Sequence, residues 1–594
     1  MSHPLQNILL APRVVADEAL YFRGKGGYVA EPETLRLEKG ADIDFFSWYG
    51  LFNLETWRTY TACEQFFLRG KASGRVIIEL WHHTGPHQRY RLASLLHESE
   101  ATEVFTLAVP DGIHSGLLSV RVKALGDASI CQLCWEGTAP QPPKPVRLGL
   151  VMTTFNRQSA ALASAQRISA FIASIQEQLS PDEAVALAVV DNGRNLDLPE
   201  LPGVVHIPNP NLGGSGGFAR GLYYFKEERG FSHCLFMDDD AACETESIWR
   251  TLQLLCFSIV DDLAIAGTLF AQSPPWLQIE RGALFRYHCV GLGHGRDLRS
   301  VRQLFKNEKS RLFDYGGWWF FAFPVSGVDY PFPFFVRGDD VHFGLHNHLT
   351  KITLAGVSTW GEDFTAKESP MTRYLDMRHH LMQYLLSKQL KANPLVWVRL
   401  ILPSVLRSVL TMRYAAAEAQ LLAIEHVLQG PRFWEANPAL ESVWNVLRPL
   451  NEEEKPQQIP PVLEKQQISS ESRSRKVWWR RLYKVMTLNG HLLPRRAWKH
   501  EPVRIDKASF ELEAFLPYAC VYLVTPYAEG GIRLCKDRRR FFSIVWRMLG
   551  LTGKILYSSA SLQKAYRSAA PRLMSRAFWE QQFGLSAGTN RDEG

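Results

Sequence analysis

The stretch HCLFMDDD, residues 233–240, places three consecutive aspartates directly after a short apolar run. Such a run between polar residues is typical of a buried β-strand. In an extended segment Asp238 and Asp240 lie on one face and Asp239 on the other. Carboxylates repel one another, so a cation is expected beside them. Two carboxylates on one face suit Mg²⁺ or Mn²⁺, although an exposed acidic turn would have the same sequence.

Strands and helices alternate around this stretch. The segments 146–152 (VRLGLVM) and 184–190 (AVALAVV) are apolar runs, and apolar side chains recur at helical spacing between them. Polar turns follow both runs, TTFNRQ at 153–158 and DNG at 191–193. This alternation predicts an α/β fold with a parallel sheet, in which ligands bind at the carboxyl ends of the strands. The chemistry is therefore expected in this central region.

A glycine-rich segment, NPNLGGSGGFARG at 209–221, lies between the second turn and the aspartates. Gly213 and its neighbours allow the backbone to approach a ligand closely, and exposed amides can face a phosphate or a ribose. Arg220 would add a positive charge. A flexible loop is the alternative interpretation, because a glycine-rich segment alone is weak evidence of a binding site.

The remainder of the chain divides into predicted domains. Short β-branched runs separated by turns predict a jelly-roll-like β-sandwich over residues 1–137. TAPQPPKP at 138–145 is a proline-rich linker. The α/β domain then occupies 146–385, and a mainly helical, increasingly basic domain occupies 386–594.

The composition is that of a soluble globular protein, with 46% hydrophobic and 21% charged residues. The net charge of +7 at pH 7 is too modest for a dedicated nucleic-acid-binding chain. The nine cysteines are scattered and odd in number, which argues against a disulfide framework and favours a reducing cytoplasm. We expect no signal peptide, and no apolar window is long enough to span a bilayer.

Basic and aromatic residues are interleaved in the last predicted domain, as in RSRKVWWRRLYKVM at 473–486 and KDRRRFFSIVWRML at 536–549. Cations suit anionic headgroups and aromatic rings suit the membrane interface, so these stretches favour peripheral contact with the inner face of the cytoplasmic membrane. Nucleic-acid binding and a merely solvated helical surface are the alternatives, and homo-oligomerisation through this region stays open.

The motifs TTFNR, VVDNG, NLGGSGGFARG and FMDDD, in this order, resemble the nucleotide-sugar domain of inverting glycosyltransferases with the Rossmann-like GT-A fold. The resemblance implies that the two turns hold uridine, that the glycine-rich segment lies near ribose and diphosphate, and that the aspartates carry the metal. It assigns the metal to Asp238 and Asp240. It assigns nucleotide binding to Thr154, Phe155, Arg157, Asp191, Asn211, Gly213 and Asp239.

Two later motifs, YGGWWFFAFP at 315–324 and PFFVRGDDVHFGLH at 333–346, narrow the resemblance. With the earlier motifs they look like the polymerising galactofuranosyltransferases of mycobacterial cell-wall synthesis and their bacterial relatives. Those enzymes combine an N-terminal β-sandwich, a GT-A domain and a helical C-terminal region. The resemblance implies that Asp340 is the catalytic base and that Asp339 orients the acceptor. The alternative for this pair is a surface turn.

The same resemblance places Trp318, Trp319 and Glu280 at the acceptor site. Sugar C–H faces pack on aromatic rings, so the two tryptophans would form an acceptor wall. A buried strand is the alternative interpretation of this Trp-Trp pair.

One position departs from the family pattern. The family has a Trp-His pair after the catalytic aspartates, and its histidine completes the metal site. Here Trp360 is followed by Gly361. Water could fill the position, or another side chain could replace the histidine, the candidates being Glu362, Asp363, His379 and His380.

The resemblance implies a metal-dependent transferase that moves galactofuranose from UDP-galactofuranose to a lipid-linked glycan acceptor in bacterial surface polysaccharide synthesis. Residue chemistry does not distinguish the donor sugar. A related transferase using dTDP-rhamnose or a UDP-hexopyranose is the first alternative. A non-catalytic glycan-binding scaffold is the second, because the metal site lacks the family histidine.

Overall fold

The computed structural model describes residues 2–14, 17–31, 33–240, 242–309, 311–361, 368–464, 477–506, 512–524 and 530–585. The chain forms two compact units. The first comprises Met1–Pro331, Phe343–Glu362 and Phe583–Gly594, and the second comprises Phe332–His342 and Asp363–Gln582. The predicted linker, 138–145, lies inside the first unit.

The N-terminal part of the first unit is an antiparallel sheet of long strands. Its elements are β1 (His3–Asn7), β2 (Arg23–Glu31), β3 (Thr34–Asp44), β4 (Phe52–Asn53), α1 (Leu54–Tyr60), β5 (Gln65–Gly85), β6 (Gln88–Ala108) and β7 (Leu117–Thr138). The strand order is β2-β3-β7-β5-β6, and β1 and β4 also pair with β7. The strands are connected in one hydrogen-bonded network, and the predicted β-sandwich stays a prediction.

A bulge near Gly74 explains how such long strands curl. The pairing register of β5 shifts between Ala72 and Gly74 against β6, and between Gly74 and Val76 against β7. Gly74 has a φ of +80°, and a Cβ there would lie 2.2 Å from the carbonyl oxygen of Asp127. A bulge bends the strand that carries it, so these long strands can curl around a core.

The rest of the first unit alternates strands and helices. Its elements are β8 (Arg147–Thr154), α2 (Gln158–Ile175), β9 (Ala184–Asp191), β10 (Val204–Pro208), α3 (Gly213–Tyr223), β11 (His233–Asp238), β12 (Ala242–Cys243), α4 (Glu246–Cys256), β13 (Leu263–Ala271), β14 (Leu277–Glu280), β15 (Ala283–Arg286), β16 (His288–Gly291), β17 (Arg296–Asp297), α5 (Val301–Asn307), β18 (Phe321–Pro324), α6 (Asp339–His346) and β19 (Thr350–Gly361). Helix α6 begins in the second unit and ends in the first.

The main sheet of this part has the strand order β10-β9-β8-β11-β18-β13-β14-β17. The first four strands are parallel, and the following four pair antiparallel. The prediction of an α/β fold is confirmed, but the sheet is mixed. Strands β9 and β10 lie on one side of β8 and β11 lies on the other, so the chain order reverses between β8 and β11. Ligands of open α/β sheets bind at the strand ends beside such a reversal.

A buried ion pair links the N-terminal sheet to the α/β part of the same unit. Arg250, which has no exposed surface, donates to Glu246 one helical turn earlier at 2.9 Å. The same guanidinium donates to the carbonyl oxygens of Asn7, Tyr49 and Ala355. Burial lowers the pKa of Arg250 and raises that of Glu246. The pair therefore connects segments of the first unit that are far apart in sequence.

The second unit is mainly helical. Its helices are α7 (Pro370–Leu386), α8 (Pro394–Leu410), α9 (Tyr414–Leu428), α10 (Pro431–Ala436), α11 (Glu441–Glu453), α12 (Pro461–Glu464), α13 (Val477–Met486), α14 (Arg538–Leu573) and α15 (Arg576–Phe583). A small sheet of β20 (Val503–Asp506), β21 (Cys520–Val524) and β22 (Gly531–Cys535) adds to the predicted helices. Within the residues that the structure describes, no helix has both the length and the apolar character needed to cross a bilayer.

Cys520 and Cys535 face each other on β21 and β22 and form a disulfide. This pair departs from the expectation of reduced cysteines throughout, which rested on their odd number and scattered spacing. The two cysteines are fifteen residues apart, and only the pairing of the strands brings them together.

Candidate functional site

Three strand ends meet at the point where the strand order reverses. Asp238, at the end of β11, is the register partner of Thr153 on β8. Thr154, at the end of β8, is the register partner of Asp191 at the end of β9. The first turn, the DN turn and the aspartate triplet therefore share one edge of the sheet.

The three aspartates differ in exposure. Asp238 and Asp240 are half-buried, whereas Asp239 between them is buried. Burial raises the pKa of Asp239, and the carboxylate of Asp240 raises it further. The Thr154 hydroxyl is close enough to lower that pKa, yet neither its Oγ1 nor Asp239 Oδ2 has a hydrogen-bond partner of good geometry among the described residues. Asp239 thus keeps a buried oxygen that is available to a donor or a cation.

Arg157 supplies a positive charge beside the triplet. It precedes the first turn of α2, and its guanidinium forms an ion pair with Asp240. Its Nη1 also lies 3.6 Å from Asp239 Oδ1. The three aspartates therefore have a compensating positive charge within the protein itself. Because Arg157 is partly exposed, it can also reach an anionic ligand at this edge.

Asp191 is fully buried, and both of its carboxylate oxygens accept hydrogen bonds from backbone amides of its own turn. Oδ1 accepts from the Gly193 amide at 2.9 Å, and Oδ2 accepts from the Leu196 amide at 2.8 Å. Burial acts to raise the pKa of Asp191, but these amide donors and His206 outweigh it and the pKa is lowered. Asp191 is therefore an ionised, turn-forming residue, and its contact with uridine stays a prediction.

Most of the glycine-rich segment is a helix, not the flexible loop of the alternative interpretation. Gly217 packs on Thr153 and Gly221 packs on Val151, so α3 lies very close to β8. A Cβ at position 221 would lie 2.1 Å from Val151 Cγ1. Gly213, with a φ of +68°, begins the helix, and its amide donates to Asn211 Oδ1 at 3.2 Å. Gly213 therefore lies at the start of α3, and its contact with ribose or diphosphate stays a prediction.

Phe155, Thr154 and Arg220, which the sequence analysis also singled out, differ in their exposure and their partners. The aromatic ring of Phe155 is 49% exposed, whereas Thr154 is buried. Arg220, which was expected to add a positive charge to the glycine-rich segment, is paired with Glu228 at 2.9 Å and lies over the ring of Tyr223. Arg220 therefore has a structural partner, whereas Phe155 is exposed, as are the other residues of the first turn up to Gln158.

Two asparagines that the sequence analysis missed link the ends of β8, β9 and β10 to the start of α3. Asn192 Nδ2 donates to Thr153 Oγ1 and to the Gly213 carbonyl oxygen, both at 3.1 Å. Asn209 Nδ2 donates to Asn192 Oδ1 at 2.8 Å, and Asn209 is 1% exposed. Both lie in motifs that were quoted, DNG and NPN, but nothing local to either motif indicates that they pair.

The two tryptophans of the predicted acceptor wall have different environments. Trp318 is 5% exposed and makes edge contacts with the rings of Phe218, Phe236 and Phe343. Trp319 is half-buried, and its Nε1 donates to the Gly267 carbonyl oxygen at 3.1 Å. Trp318 thus packs in an aromatic core, as the alternative interpretation of the pair expected, and only Trp319 retains surface for a sugar.

Glu280 is the last residue of β14, and its pKa is unusually high. Burial raises its pKa to about 8, and its Oε1 is buried without a hydrogen-bond partner in the described part of the chain. Strongly shifted carboxyl groups of this kind cluster at functional sites. The side chain of Glu280 is half-buried.

The late aspartate pair begins α6 within the second unit. Asp339 is 7% exposed and Asp340 is half-buried, with Oδ1 accepting from the Val341 amide at 2.8 Å. The preceding loop is strained, because Phe335 and Arg337 have φ values of +70° and +66°. Strain of this kind persists only where the surroundings hold it, and it is frequent at active sites.

Buried side chains of α7 hold this strained loop. Arg378 donates to the Phe334 carbonyl oxygen, and Gln383 Nε2 donates to the Gly338 carbonyl oxygen at 2.7 Å. Neither Arg378 nor Gln383 has any exposed surface. Asp339 is among the groups that act on the pKa of Arg378, which burial lowers. Sequence reasoning did not identify these two residues, because their contacts are long-range.

The third metal ligand is not identified. Among the described ranges, no three His, Cys, Asp or Glu side chains form a group that could hold a metal ion. Glu362 and Asp363 lie outside the described residues. His379 is buried on α7, and burial lowers its pKa well below the usual value; His380 is half-buried beside it.

A cavity of about 970 Å³ lies elsewhere in the first unit, where the N-terminal sheet meets α2 and α4. Arg69, Arg167, Glu136 and Trp249 are among its lining residues. None of the predicted site residues lines it. Cavity size alone would therefore point away from the acidic strand end.

Comparison with known proteins gives two relatives of similar length. The chain is 23% identical over 592 residues to galactofuranosyltransferase GlfT2 of Mycobacterium tuberculosis, covering 92% of this chain and 91% of that protein. It is 22% identical to GlfT2 of Mycolicibacterium smegmatis, covering 92% and 90%. The chain resembles two galactofuranosyltransferases along almost its whole length.

Two further comparisons add little. No protein-family model matches the chain. Among solved structures, a mannosyltransferase of Pyrobaculum calidifontis in complex with GDP-Man and Mn²⁺ aligns with 53% of this chain and 86% of its own, at 13% identity and a TM-score of 0.25. A likeness at this TM-score supports no inference about the present chain.

Proposed function

We propose that this chain is a metal-dependent inverting glycosyltransferase that transfers galactofuranose from UDP-galactofuranose to a lipid-linked glycan in bacterial surface polysaccharide synthesis. The observation that carries the proposal is the similarity to the two galactofuranosyltransferases over 92% of the chain. The acidic strand end beside the reversal of strand order supports it, because nucleotide ligands of open α/β sheets bind there.

The donor nucleotide would lie along the shared strand edge. The exposed ring of Phe155 offers a surface for the uracil ring, and the guanidinium of Arg157 offers a charge-assisted hydrogen bond to the diphosphate. The start of α3 lies at the same edge and presents backbone amides, which suit an anion. The proposed donor-binding residues are Thr154, Phe155, Arg157, Asp191, Asn211, Gly213 and Asp239.

The acidic triplet fits Mg²⁺ or Mn²⁺ by its chemistry. Asp238 and Asp240 are accessible carboxylates, and Asp239 has a buried oxygen without a partner. Two carboxylates are enough for Mg²⁺, which completes its coordination with water and substrate phosphates. Asp238 and Asp240 would hold the ion, whose charge would offset that of the diphosphate when bound.

Transfer requires a base for the acceptor hydroxyl. We assign this role to Asp340: its carboxylate takes the hydroxyl proton as the oxygen bonds to the anomeric carbon and the bond from that carbon to UDP breaks. Attack from the face opposite the departing UDP inverts the anomeric configuration. Asp339 would orient the acceptor, and Trp319 and Glu280 would contact it. Trp318 keeps its packing role.

The acceptor's lipid would bring the protein to the cytoplasmic membrane surface. Helix α14 exposes apolar and basic side chains together, with Trp546 72% exposed and Phe542, Leu549 and Arg547 also exposed. These residue types suit an anionic membrane interface. Of the other basic stretch, 473–486, the first four residues lie outside the described part of the chain. Flotation with anionic vesicles should require Trp546, and equal flotation of Trp546→Ser would contradict this contact.

The decisive experiment replaces the proposed base. Asp340→Asn should reduce transfer from UDP-galactofuranose by about 10²–10⁴-fold while leaving UDP binding unchanged. The control Asp261→Asn alters an aspartate whose side chain is 94% exposed and should retain transfer. Retained transfer by Asp340→Asn would reject Asp340 as the base.

A donor panel tests the sugar separately from the base. Wild-type protein should consume UDP-galactofuranose, and turnover with dTDP-rhamnose or a UDP-hexopyranose alone would replace the proposed donor. Glycan binding without turnover of any donor would favour the scaffold alternative.

A further inference from the structure

The cavity between the N-terminal sheet and helices α2 and α4 has a volume of about 970 Å³ and is separate from the acidic strand end. Strands β5 and β7 contribute Arg69, Lys71 and Gln132 to its lining, and α2 contributes Arg167 and Phe171. Pockets for organic ligands measure about 300–1,000 Å³. The cavity is therefore large enough for a ligand much bigger than an inorganic ion.

A bulge in β7 presents Gln132 at this cavity. Arg69 on β5 pairs with Cys134 on β7, and Lys71 pairs with Cys131, so β7 has one more residue than β5 between these two pairs. Gln132 lies in this stretch with a φ of +52°, a conformation that residues with a Cβ rarely adopt. Its exposed side-chain amide has no hydrogen-bond partner among the described residues. Bulges and strained residues of this kind are frequent beside ligand sites.

The two carboxylates at the rim of the cavity are paired within the protein. Glu33 forms an ion pair with Arg13 at 2.9 Å. Glu136 forms an ion pair with Arg69 at 3.3 Å, and its other oxygen accepts from the Ser2 hydroxyl at 2.7 Å. These carboxylates therefore do not need a cationic ligand.

The two deeper carboxylates of the lining, Glu244 and Glu246, are 1% and 6% exposed. Glu246 is paired with Arg250. Glu244 accepts from the Tyr21 hydroxyl at 2.6 Å and from the backbone amide of Arg13 at 2.9 Å. Both are thus satisfied by donors of the protein.

Lys71 and Arg167 are the lining cations that have no carboxylate partner in the described part of the chain. Lys71 is half-buried and takes part in neither a hydrogen bond nor an ion pair with the described residues. Arg167 Nη2 donates to Ser164 Oγ at 3.3 Å, and its guanidinium also bonds the Cys243 thiol. Arg167 Nε is buried without an acceptor among the described residues. Two cations without a counter-charge favour a ligand that carries negative charge.

We propose that this cavity binds an acidic oligosaccharide, whose carboxylates pair with Lys71 and Arg167 and whose hydroxyls bond the amide of Gln132. Guanidinium and ammonium groups form charge-assisted hydrogen bonds with carboxylates, and an amide both donates to and accepts from hydroxyls. The half-buried ring of Phe171 offers a surface for sugar C–H groups. The choice of a saccharide rests on the proposed function, because a transferase that extends a glycan contacts saccharide chains.

The test is a calorimetric titration of the full-length protein with tetragalacturonic acid and with its fully methyl-esterified form, which has the same sugar units without the charges. Lys71→Gln removes a lining cation. The matched control Lys39→Gln removes an exposed lysine of β3 that does not line the cavity. Unfolding temperatures without ligand establish that the variants fold. Because no donor is turned over, the result does not depend on transfer activity.

We expect Lys71→Gln to bind the acidic tetrasaccharide at least about tenfold more weakly than Lys39→Gln, and wild type to bind the methyl ester at least about tenfold more weakly than the acid. UDP should not displace the tetrasaccharide. Gln132→Gly should weaken binding without lowering the unfolding temperature, since glycine adopts a positive φ without strain.

Three results would overturn the site: no binding of the acid by wild type at millimolar concentration, equal affinities of Lys71→Gln and Lys39→Gln, or displacement by UDP. Equal binding of acid and methyl ester would overturn the acidic ligand. Failure of the proposed function is distinguishable, because it would appear as retained transfer by Asp340→Asn and would leave these titrations unchanged.

Discussion

Gly217 on α3 packs so closely on Thr153 of β8 that a Cβ at position 217 would lie 2.0 Å from Thr153 Oγ1. Thr153 is also the register partner of Asp238 and accepts a hydrogen bond from Asn192. The absence of a side chain at one helical position thus sets the spacing between a helix and the strand end that adjoins the aspartate triplet. The glycine-rich segment acts here by packing.

Gly217→Ala should therefore lower both stability and donor binding. The new methyl group must displace Thr153 or move α3, and overpacking of this kind costs about 1–3 kcal/mol. Denaturant unfolding measures the first effect and UDP titration the second. The control Gly553→Ala adds a methyl group in a helix where nothing lies within 4 Å, and it should stabilise the protein by about 0.4–1 kcal/mol. Equal effects of the two substitutions would contradict the packing role.

Local sequence pattern predicted the parallel half of the main sheet. Apolar runs followed by polar turns placed Thr154, Asp191 and Asp238 at strand ends, and the structure brings these ends to one edge. This works because a buried parallel strand is a continuous apolar run whose end is marked by the first polar residues. The antiparallel half was not predicted, since the pairing of β11 with β18 joins residues far apart in the chain.

The same limit explains the errors at individual residues. The run of glycines from Gly213 left a flexible loop open as an alternative because glycine disfavours helices, and only the neighbouring strand shows why four glycines occur together in α3. Trp318 and Trp319 are adjacent and chemically identical, yet one is in the core and the other is half-buried. Which of them can meet a ligand depends on partners such as Phe218, which the local sequence does not reveal.

Glu280 should make stability depend on pH. Its pKa in the folded protein is about 8, above the ordinary value of 4.5, so its favourable contribution is complete below about pH 4.5 and is lost as the pH rises through 8. Glu280→Gln should match wild type at about pH 4 and exceed it by about 1 kcal/mol at about pH 9, a discounted value because the side chain is partly exposed. Urea unfolding across this range measures the difference.

The matched control is Glu38→Gln, at an exposed position of β3. Its difference from wild type should not change over the same pH range. A constant difference for Glu280→Gln as well would show that burial does not shift the ionisation of Glu280.

Gln383→Leu should reduce the rate of transfer with little effect on donor affinity. It removes the donor to the Gly338 carbonyl oxygen in the strained loop that presents Asp339 and Asp340. Leaving that carbonyl unpaired costs about 1–3 kcal/mol and releases the loop. Steady-state kinetics should show a lower kcat, with UDP binding unchanged in a separate titration. The control Gln389→Leu, at an exposed position, should leave kcat unchanged, and loss of stability without loss of kcat would refute the positioning role.

Reduction should destabilise the small sheet of the second unit. The disulfide between Cys520 and Cys535 closes a loop of fifteen residues, and constraint of such a loop in the unfolded chain is worth about 3 kcal/mol. Cys520→Ser should lose this stability and become insensitive to dithiothreitol in urea unfolding. Cys289→Ser, which changes an exposed cysteine outside the disulfide, should keep the sensitivity of wild type. Wild-type stability that is unchanged by reductant would contradict a formed disulfide.

The ion pair of Arg250 and Glu246 should be far more costly to break than a similar pair at the surface. In both pairs the two residues are four positions apart on a helix. Arg250 and Glu246 are 2.9 Å apart, and their side chains are 0% and 5% exposed. Arg576 and Glu580 are 2.7 Å apart, and their side chains are 55% and 25% exposed. Arg250→Met leaves the Glu246 charge buried and several carbonyl oxygens unpaired, so it should cost about 3–5 kcal/mol. Arg576→Met should cost less than about 1 kcal/mol, because water screens the exposed pair.

Adding Glu246→Met to Arg250→Met should recover part of the loss in stability, because it removes the unpaired charge. The recovery should be incomplete, since Glu246 also accepts hydrogen bonds from the backbone and side chain of Asn7. Urea unfolding of the wild type and the three variants measures these differences. A cost for Arg250→Met no larger than that for Arg576→Met would mean that the two parts of the first unit are held together without this pair.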